Sequence, residues 1–389
     1  MHQLLTPLLA LALSAAPALA QDLFLTGARV VDPAAREVRT MAPGRVFDSP
    51  GTAGTARRML YAGVTGFLDL FGHEQMLYDL REQQRAGTVD SAGGAELFAS
   101  LSCLTAPEGH CTEYGVETRV MSTPEEAREV VADLARKRPD VVKIVYAPSG
   151  RMPSIDKATL AAAVATATER GIKTVIHVQA WQDVRDAVEA AAAAVTHVPD
   201  QEPIPEGLSK LMAARGVASI PTLAVELDMA DFIRRAEVLD NPLARAVTSE
   251  AVLAAYRNEE IRHHAEEFRQ KDPERAARVL ASVKAMADAG VTILAGSDSG
   301  NGGTIQGYSA HRELVKLVEA GLSPWQALAA TTTEAGKFLG RSFGVNPGDE
   351  ANLVVLEASP IEDVHNTQRI AMVIRRGKVV DREALLASP

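Results

Sequence analysis

Four polar residues stand at or near the ends of short apolar runs, and their types suit one kind of chemistry. They are Lys143, His177, His197 and Asp298. Imidazoles and a carboxylate bind Zn²⁺ or a similar ion. Such an ion lowers the pKa of a bound water to about 7 and polarises a carbonyl group. A carboxylate beside that water can take its proton and pass it to a leaving nitrogen.

Each of the four also has an ordinary structural explanation. A lysine in a strand can extend its amine to solvent, and a lone histidine in an apolar strand is usually a core residue. Asp298, in a Ser-Asp-Ser-Gly turn, can cap the helix that follows. The ammonium group of Lys143 cannot bind a cation. It becomes a ligand only after carboxylation by CO2, which requires a neutral amine and therefore a lowered pKa.

Apolar runs typical of buried strands alternate with helical patterns through the middle of the chain. These runs cover residues 63–70, 97–101, 141–146, 173–178, 193–198, 217–223 and 291–295. The clearest helix is predicted for residues 124–137, with Thr123 as N-cap, Pro124 at the first helical position and Glu126 completing a capping box.

Repeated β–α units with apolar strands indicate a parallel sheet. With a first strand near Val46, they predict a TIM-type (β/α)8 barrel, in which all strand ends open on one face. An open doubly wound sheet is the alternative. The sequence has no G-x-G-x-x-G after a strand and no G-x-x-x-x-G-K-[ST], so nucleotide binding has no support.

Strand-like segments also occur near both chain ends, at residues 23–31, 352–356, 370–374 and 378–380. They predict a small β-sandwich domain assembled from residues 21–44 and 346–389, beside a barrel formed by residues 45–345.

Residues 1–20 have an apolar centre and end in Ala-Leu-Ala, which predicts a cleaved signal peptide; an apolar N-terminal helix is the alternative. We therefore expect an exported protein, periplasmic or secreted, without a membrane span. The net charge of −10 and the lack of a Lys/Arg-rich run argue against nucleic-acid binding.

The two cysteines, Cys103 and Cys111, are separated by seven residues. In an oxidising compartment a disulfide between them would close one loop. Two separate thiols are the alternative, since spacing alone does not supply the required geometry.

The order of these motifs resembles the amidohydrolase superfamily, in its imidazolonepropionase-like and Xaa-Pro dipeptidase-like branch. The matching stretches are LTGARVVDP, AGVTGFLDL, VVKIVY, VIHV, VTHVP, LAGSD, HRELVKLVEAGLSPWQALAATTTEAGKFLG and GDEANLVVLEASPIED leading into VIRRGKVVD. In that family the fourth-strand lysine is carboxylated and bridges two metal ions. The fifth- and sixth-strand histidines bind one ion, and the eighth-strand aspartate binds the other and acts as the base. The resemblance gives these roles to Lys143, His177, His197 and Asp298.

One family motif is missing. The family opens its barrel with P-G-x-x-D-x-H-x-H, whereas residues 43–60 read PGRVFDSPGTAGTARRML and contain no histidine. The first barrel strand is therefore expected to be incomplete. Three interpretations stay open: a single ion held by Lys143, His177 and His197; substitute ligands from Asp48 or His73; or an inactive relative.

Further candidates lie in loops. His110 resembles a position that faces substrate in this branch, and Tyr114 is a second candidate for substrate contact; ordinary loop residues are the alternative. His263 and His264 stand among glutamates, which suggests either a metal site or, preferably, a solvated helix. His311 opens a helix and is expected to serve packing, with orientation of the site as the alternative.

The resemblance and the residues together predict a metal-dependent hydrolase that cleaves a carbon–nitrogen bond in an amide, a small peptide or an N-acyl compound. The expected cofactors are one divalent ion, zinc by preference, and a CO2-derived carboxylate on Lys143. Asp298 is the expected base. The expected partner is a small-molecule or short-peptide substrate. The alternatives are a lactone or ester hydrolase and a non-catalytic barrel that serves as a binding scaffold.

Overall fold

The computed structural model describes residues 35–39, 51–88, 93–234, 236–257, 266–267, 270–301, 303–342, 345 and 347–387. The predicted signal peptide, the expected first strand near Val46, the candidate ligand Asp48 and the pair His263 and His264 lie outside these residues.

Parallel strands follow the predicted order. They are β1 Ala35–Arg39, β2 Val64–Asp69, β3 Glu96–Ala99, β4 Cys103–Thr105, β5 Arg119–Val120, β6 Val141–Val145, β7 Lys173–His177, β8 Ala194–Thr196 and β9 Ala218–Ile220. One sheet has the order β1-β2-β3 and the other β5-β4-β6-β7-β8-β9. Residues 291–295 continue the second sheet through a parallel bridge between Ser219 and Ile293.

The two sheets belong to one barrel because β3 and β4 are successive parts of its third strand. β3 pairs with β2, while β4 pairs with β6. The backbone N–H of Asp140, just before β6, also donates to the carbonyl of Ala99 at 2.9 Å. Counting residues 291–295, eight strand positions follow one another around the sheet. The TIM-type (β/α)8 barrel predicted from the sequence is confirmed.

The first strand position is filled differently from the expectation. β1 pairs in parallel with β2, from Arg36 opposite Gly66 to Arg39 opposite Asp69. The sequence predicts this segment in the small β domain and the first strand near Val46. A parallel pair needs a long crossover, and a helix, Gly51–Tyr61, lies between the two strands in the sequence.

Helices connect the strands on the outside of the barrel. They are α1 Gly51–Tyr61, α2 Glu74–Ala86, α3 Pro124–Arg136, α4 Lys157–Glu169, α5 Trp181–Glu189, α6 Leu208–Arg215, α7 Leu223–Arg234, α8 Ala236–Leu239, α9 Pro242–Ala246, α10 Glu250–Tyr256, α11 Arg275–Asp288, α12 Tyr308–Glu319, α13 Pro324–Thr331, α14 Thr333–Phe338 and α15 Arg382–Ala387. Thr123 caps α3 as predicted, accepting from the N–H of Glu126. The carboxylate of Glu126 accepts from the N–H of Ser122 at 2.6 Å. Ser122 lies one residue before the cap, whereas a capping box would use the N–H of Thr123 itself.

Strand alternation explains which side chains enter the barrel. Val141, Val175 and Ala194 belong to the apolar cluster that fills its interior. Because side chains alternate between faces, the residues two positions further along these strands also point inward. Those residues are Lys143, His177 and Thr196. Polar groups therefore form the next layer, towards the carboxyl ends of the strands.

The described part of the C-terminal segment forms a small antiparallel sheet of β10 Leu353–Leu356, β11 Ile370–Arg375 and β12 Lys378–Val379. Arg375 is buried, and its Nε donates to the carbonyl of Gly94 at 3.0 Å, which ties this sheet to the barrel. The division into domains stays a prediction. None of the described helices is long and apolar enough to cross a membrane.

Candidate active site

Lys143 lies inside the barrel on β6, with only 1% of its surface exposed. Its Nζ donates to the hydroxyl of Thr196, on β8, at 2.9 Å. Burial lowers the pKa of this amine, which outweighs the opposing influence of the nearby thiols and of Asp298. Since only the neutral amine can react with CO2, this downward shift favours carboxylation of the lysine.

His177 and His197 lie next to each other at the ends of β7 and β8. Their ring centroids are 4.6 Å apart, with the planes at 72°. Burial, as the largest cause, holds the pKa of both rings well below the ordinary histidine value. Both imidazoles are therefore neutral near pH 7, which is the form that binds a metal ion.

The hydrogen bonds of the two rings leave ring nitrogens that could bind a metal ion. Nδ1 of His197 lies 2.8 Å from the hydroxyl of Thr222 and 3.7 Å from a carboxylate oxygen of Glu226. Nε2 of His177 is buried and has no hydrogen-bond partner among the described residues. A buried nitrogen without a partner is costly unless a ligand satisfies it.

Asp298 follows residues 291–295, in the turn predicted from the sequence, and is buried. One carboxylate oxygen accepts from the side-chain amide of Asn301 at 2.8 Å. Its charge acts on the pKa of Lys143, of Tyr114 and of Glu226, so it belongs to the same electrostatic environment.

Unusual backbone conformations concentrate at this face. His197, Thr222 and Asp298 have φ angles of 72°, 52° and 50°, and Cys111 has 91°. Residues other than glycine rarely adopt such angles, and they persist where the surrounding structure enforces them, often at functional sites.

His110 lines the cleft, whereas Tyr114 packs against His110 without lining the cleft. The His110 ring lines the cleft, 4.6 Å from the ring of His177, and its Nδ1 lies 2.7 Å from Glu113. Tyr114 packs edge-on against His110 at 5.6 Å and does not line the cleft. His73, the candidate substitute ligand, is exposed just before α2 and does not line the cleft.

Cys103 and Cys111 are buried together beside this face as free thiols. The Cys111 thiol donates a hydrogen bond to Cys103, and this bond, followed by burial, raises the pKa of Cys111. The two cysteines are therefore neighbours, and a disulfide between them stays a prediction.

Sequence reasoning missed the acidic wall of the cleft. Asp200 and Glu226 line it, and Arg275 at the start of α11 donates to both. Burial, as the largest cause, raises the pKa of Glu226 to about 7. Asp200 lies three residues after His197 in the same loop, and this closeness in sequence could have predicted that it lies near the site. Glu226 lies on α7, one turn into a helix, and the sequence pattern does not indicate which way it faces.

The cleft at this face has a volume of about 500 Å³, which suits a small molecule. Its other wall is the loop after β6, including Gly150 and Arg151. The described residues contain no ready-made group of three His, Cys, Asp or Glu side chains that holds a metal ion. The donors present nevertheless fit one, because two neutral imidazoles adjoin and one of them has a buried nitrogen without a partner.

The barrel therefore brings a strand-end lysine, two adjacent histidines and an aspartate to one face. The amidohydrolase family profile matches residues 50–380, and the chain belongs to this family. It is therefore a hydrolase acting on carbon–nitrogen bonds, in a family that generally uses a divalent metal ion.

Solved structures share the fold. A Xaa-Pro dipeptidase with bound methionine is 18% identical, with 89% of this chain and 86% of that chain covered and a TM-score of 0.67. A putative prolidase from Bifidobacterium longum is 24% identical, with coverage of 91% and 84% and a TM-score of 0.66. An ochratoxinase from A. niger is 19% identical, with coverage of 90% and 82% and a TM-score of 0.65. No curated protein sequence matches this chain.

Proposed function

We propose that this protein hydrolyses an amide bond in a dipeptide or an N-acyl amino acid, with one divalent ion held by Lys143, His177 and His197. Zinc is the preferred ion, because it accepts nitrogen and oxygen donors in a four-coordinate site that keeps one open position. Lys143 takes part as its carboxylate.

The observation that carries the proposal is the buried Nε2 of His177, which lacks a hydrogen-bond partner among the described residues. It lies beside a second neutral imidazole. A structural histidine in the core would normally satisfy both nitrogens, as buried polar groups do. An ion at this point would satisfy Nε2 of His177. Thr222 fixes the ring of His197 through Nδ1, and metal-binding histidines are commonly held in this way through the nitrogen that does not bind the ion.

When bound, a divalent ion activates water and polarises the substrate carbonyl. Asp298 then takes the proton from the attacking water and returns it to the leaving nitrogen. Asn301 holds the carboxylate of Asp298 in place through its hydrogen bond at 2.8 Å. Arg275 partly neutralises Asp200 and Glu226, which reduces the repulsion an anionic substrate would meet on that wall.

The substrate class is supported by the cleft and by the similar structures. The volume of about 500 Å³ accommodates a dipeptide. The similar structures include a Xaa-Pro dipeptidase and a putative prolidase. We also propose that the protein is exported, because residues 1–20 carry the signal-peptide pattern.

The experiment combines metal analysis with hydrolysis assays on protein supplied with zinc and bicarbonate. We expect about one ion per chain and release of free amino acid from Xaa-Pro dipeptides or N-acyl amino acids. The Asp298→Asn variant should keep its metal but lose roughly 100- to 10,000-fold in kcat. Asp288→Asn, an exposed carboxylate at the end of α11, is the matched control and should remain active.

Unchanged turnover in Asp298→Asn would reject the base role. A protein that binds zinc but hydrolyses no member of the panel would support the alternative, a binding scaffold. The sequence feature that favours this alternative is the lack of histidines between His2 and His73, where the family carries two first-strand ligands.

A further inference from the structure

One strongly basic side chain lines the cleft among the described residues, that of Arg151. It belongs to the loop after β6 and is exposed. Within the described part of the chain it has no hydrogen-bond or ion-pair partner. Asp200 and Glu226, the carboxylates of the acidic wall, are bound by Arg275 instead. The guanidinium group of Arg151 is therefore open to an anion that enters the cleft.

The backbone of the loop that carries Arg151 is held in place by its own contacts. The N–H of Ala147 donates to the hydroxyl of Ser154 at 3.0 Å, which closes the base of the loop. The N–H of Gly150 donates to the carbonyl of Ala147 at 2.8 Å. A side chain at Gly150 would meet Oε1 of Gln179 at 2.6 Å, so the backbone just before Arg151 packs against the loop after β7.

Further contacts fix the two sides of this loop. The hydroxyl of Ser149 donates to the carboxylate of Asp183, near the start of α5, at 3.2 Å. A side chain at Gly109 would meet the carbonyl of Pro153 at 2.8 Å, so the loop also touches the segment between β4 and β5. None of these contacts uses the guanidinium group of Arg151. Folding of the loop therefore does not require this arginine, and replacing it should leave the loop in place.

The substrates proposed above carry an anion at a fixed position. In a dipeptide and in an N-acyl amino acid alike, a carboxylate stands on the carbon next to the nitrogen that leaves. Arginine suits this group because its planar guanidinium can form two parallel hydrogen bonds with a carboxylate. The carboxylates of Asp200 and Glu226 would repel the same anion, which favours its placement at Arg151.

We propose that Arg151 binds the carboxylate of the substrate and makes the protein selective for amides with a free carboxylate beside the scissile bond. The inference rests on the proposed amide-hydrolase function. In this binding mode the amine side of the substrate faces the loop after β6. Arg151 determines specificity and takes no part in the proton transfers.

The test compares carboxylate substrates with their amides, which lack the anion. The pairs are alanylproline with alanylprolinamide and N-acetylmethionine with its carboxamide, each assayed on wild-type protein and the Arg151→Gln variant supplied with zinc and bicarbonate. The wild type should prefer the acid. The variant should lose roughly 10- to 100-fold in kcat/KM on the acid, the contribution expected of a hydrogen bond between charged groups. Its activity on the amide should equal that of the wild type.

The loss on the acid should appear in KM and leave kcat nearly unchanged, because the carboxylate is bound equally in the ground state and the transition state. Arg151→Lys keeps the charge but not the planar fork, and should recover part of the preference for the acid. Arg215→Gln is the matched control, because Arg215 is an exposed arginine at the end of α6 that does not line the cleft and has no partner among the described residues. Its kinetics should equal those of the wild type.

The outcomes separate this inference from the proposed function. A preference for the acid that is unchanged in Arg151→Gln, or an equal loss on acid and amide, would overturn the role of Arg151 and leave the proposed function standing. A wild type that hydrolyses neither pair would overturn the proposed function. Calorimetric binding of the same compounds to metal-free protein then decides the inference alone. A preference for the acid that disappears in Arg151→Gln supports it, and no preference in the wild type, or one that the variant keeps, overturns it.

Discussion

Acid should destabilise this protein through His311, which lies on α12 away from the cleft. The side chain is only 5% exposed, and its Nε2 donates to the carbonyl of Ala62 at 2.9 Å. Nδ1 is buried and has no partner among the described residues, so a proton added there would find no acceptor. Burial, the largest cause, lowers the pKa of this ring from 6.5 to about 4. The histidine predicted to serve packing therefore also sets a pH dependence.

The sign and size follow from proton linkage. The unfolded chain binds the proton below pH 6.5, whereas the folded chain binds it only near pH 4. Stability is therefore complete above pH 6.5 and falls as the pH drops towards 4. At 1.36 kcal/mol per pKa unit, the loss at about pH 5 is about 2 kcal/mol, and at lower pH it approaches about 3 kcal/mol.

The assay is urea-induced unfolding of metal-free protein at about pH 7.5 and about pH 5, in the wild type and in His311→Gln. Glutamine can keep the donor to Ala62 but does not titrate. Other titrating groups affect both proteins equally, so the wild type should lose about 2 kcal/mol more than the variant between the two pH values. Equal losses in the two proteins would refute the reasoning.

Three further predictions concern ion pairs and the buried lysine. Hydrogen bonding to Arg119, the largest cause, lowers the pKa of Glu74 from 4.5 to about 2, so this pair should stabilise the fold above pH 4.5 and lose its effect as the pH falls towards 2. Chemical denaturation at neutral pH should show a loss of roughly 3 kcal/mol at most for Glu74→Gln, while an unchanged midpoint would contradict it. Arg312→Met should cost up to roughly 3–5 kcal/mol in the same assay, because the buried carboxylate of Asp228 loses its bidentate partner and keeps the amine of Lys316 at 3.4 Å; a neutral effect would show that the pair is dispensable. Lys143→Met should abolish metal binding without lowering the thermal midpoint, since methionine fills the same buried space at no desolvation cost; metal analysis showing full occupancy would remove the lysine from the ligand set.

Much of the barrel could be predicted because buried parallel strands appear as uninterrupted apolar runs. The runs around Lys143, His177 and His197 became β6, β7 and β8. Period-two alternation then places the polar residues inside the barrel, one layer above an apolar cluster. The first strand could not be placed in this way. β1 is a charged segment, AREVR, and only its pairing with β2 reveals its position.

The acidic wall was harder to predict than the strand ends. Glu226, on α7, lies 3.7 Å from Nδ1 of His197, and Arg275 reaches Glu226 from another helix, 49 residues further along the chain. Such contacts depend on how helices pack across the barrel mouth, and no local sequence pattern encodes that. His110 was identified as a candidate, but its contact with the ring of His177 required the fold.

The central claim is that this barrel hydrolyses amide bonds with one metal ion, and the zinc content of active protein tests it most directly. Purified protein supplied with zinc and bicarbonate should contain about one equivalent per chain, and removal of the ion by a chelator should abolish hydrolysis of Xaa-Pro dipeptides or N-acyl amino acids until zinc is restored. Protein that binds no metal under these conditions, or that hydrolyses the same substrates equally well after the ion is removed, would contradict the claim.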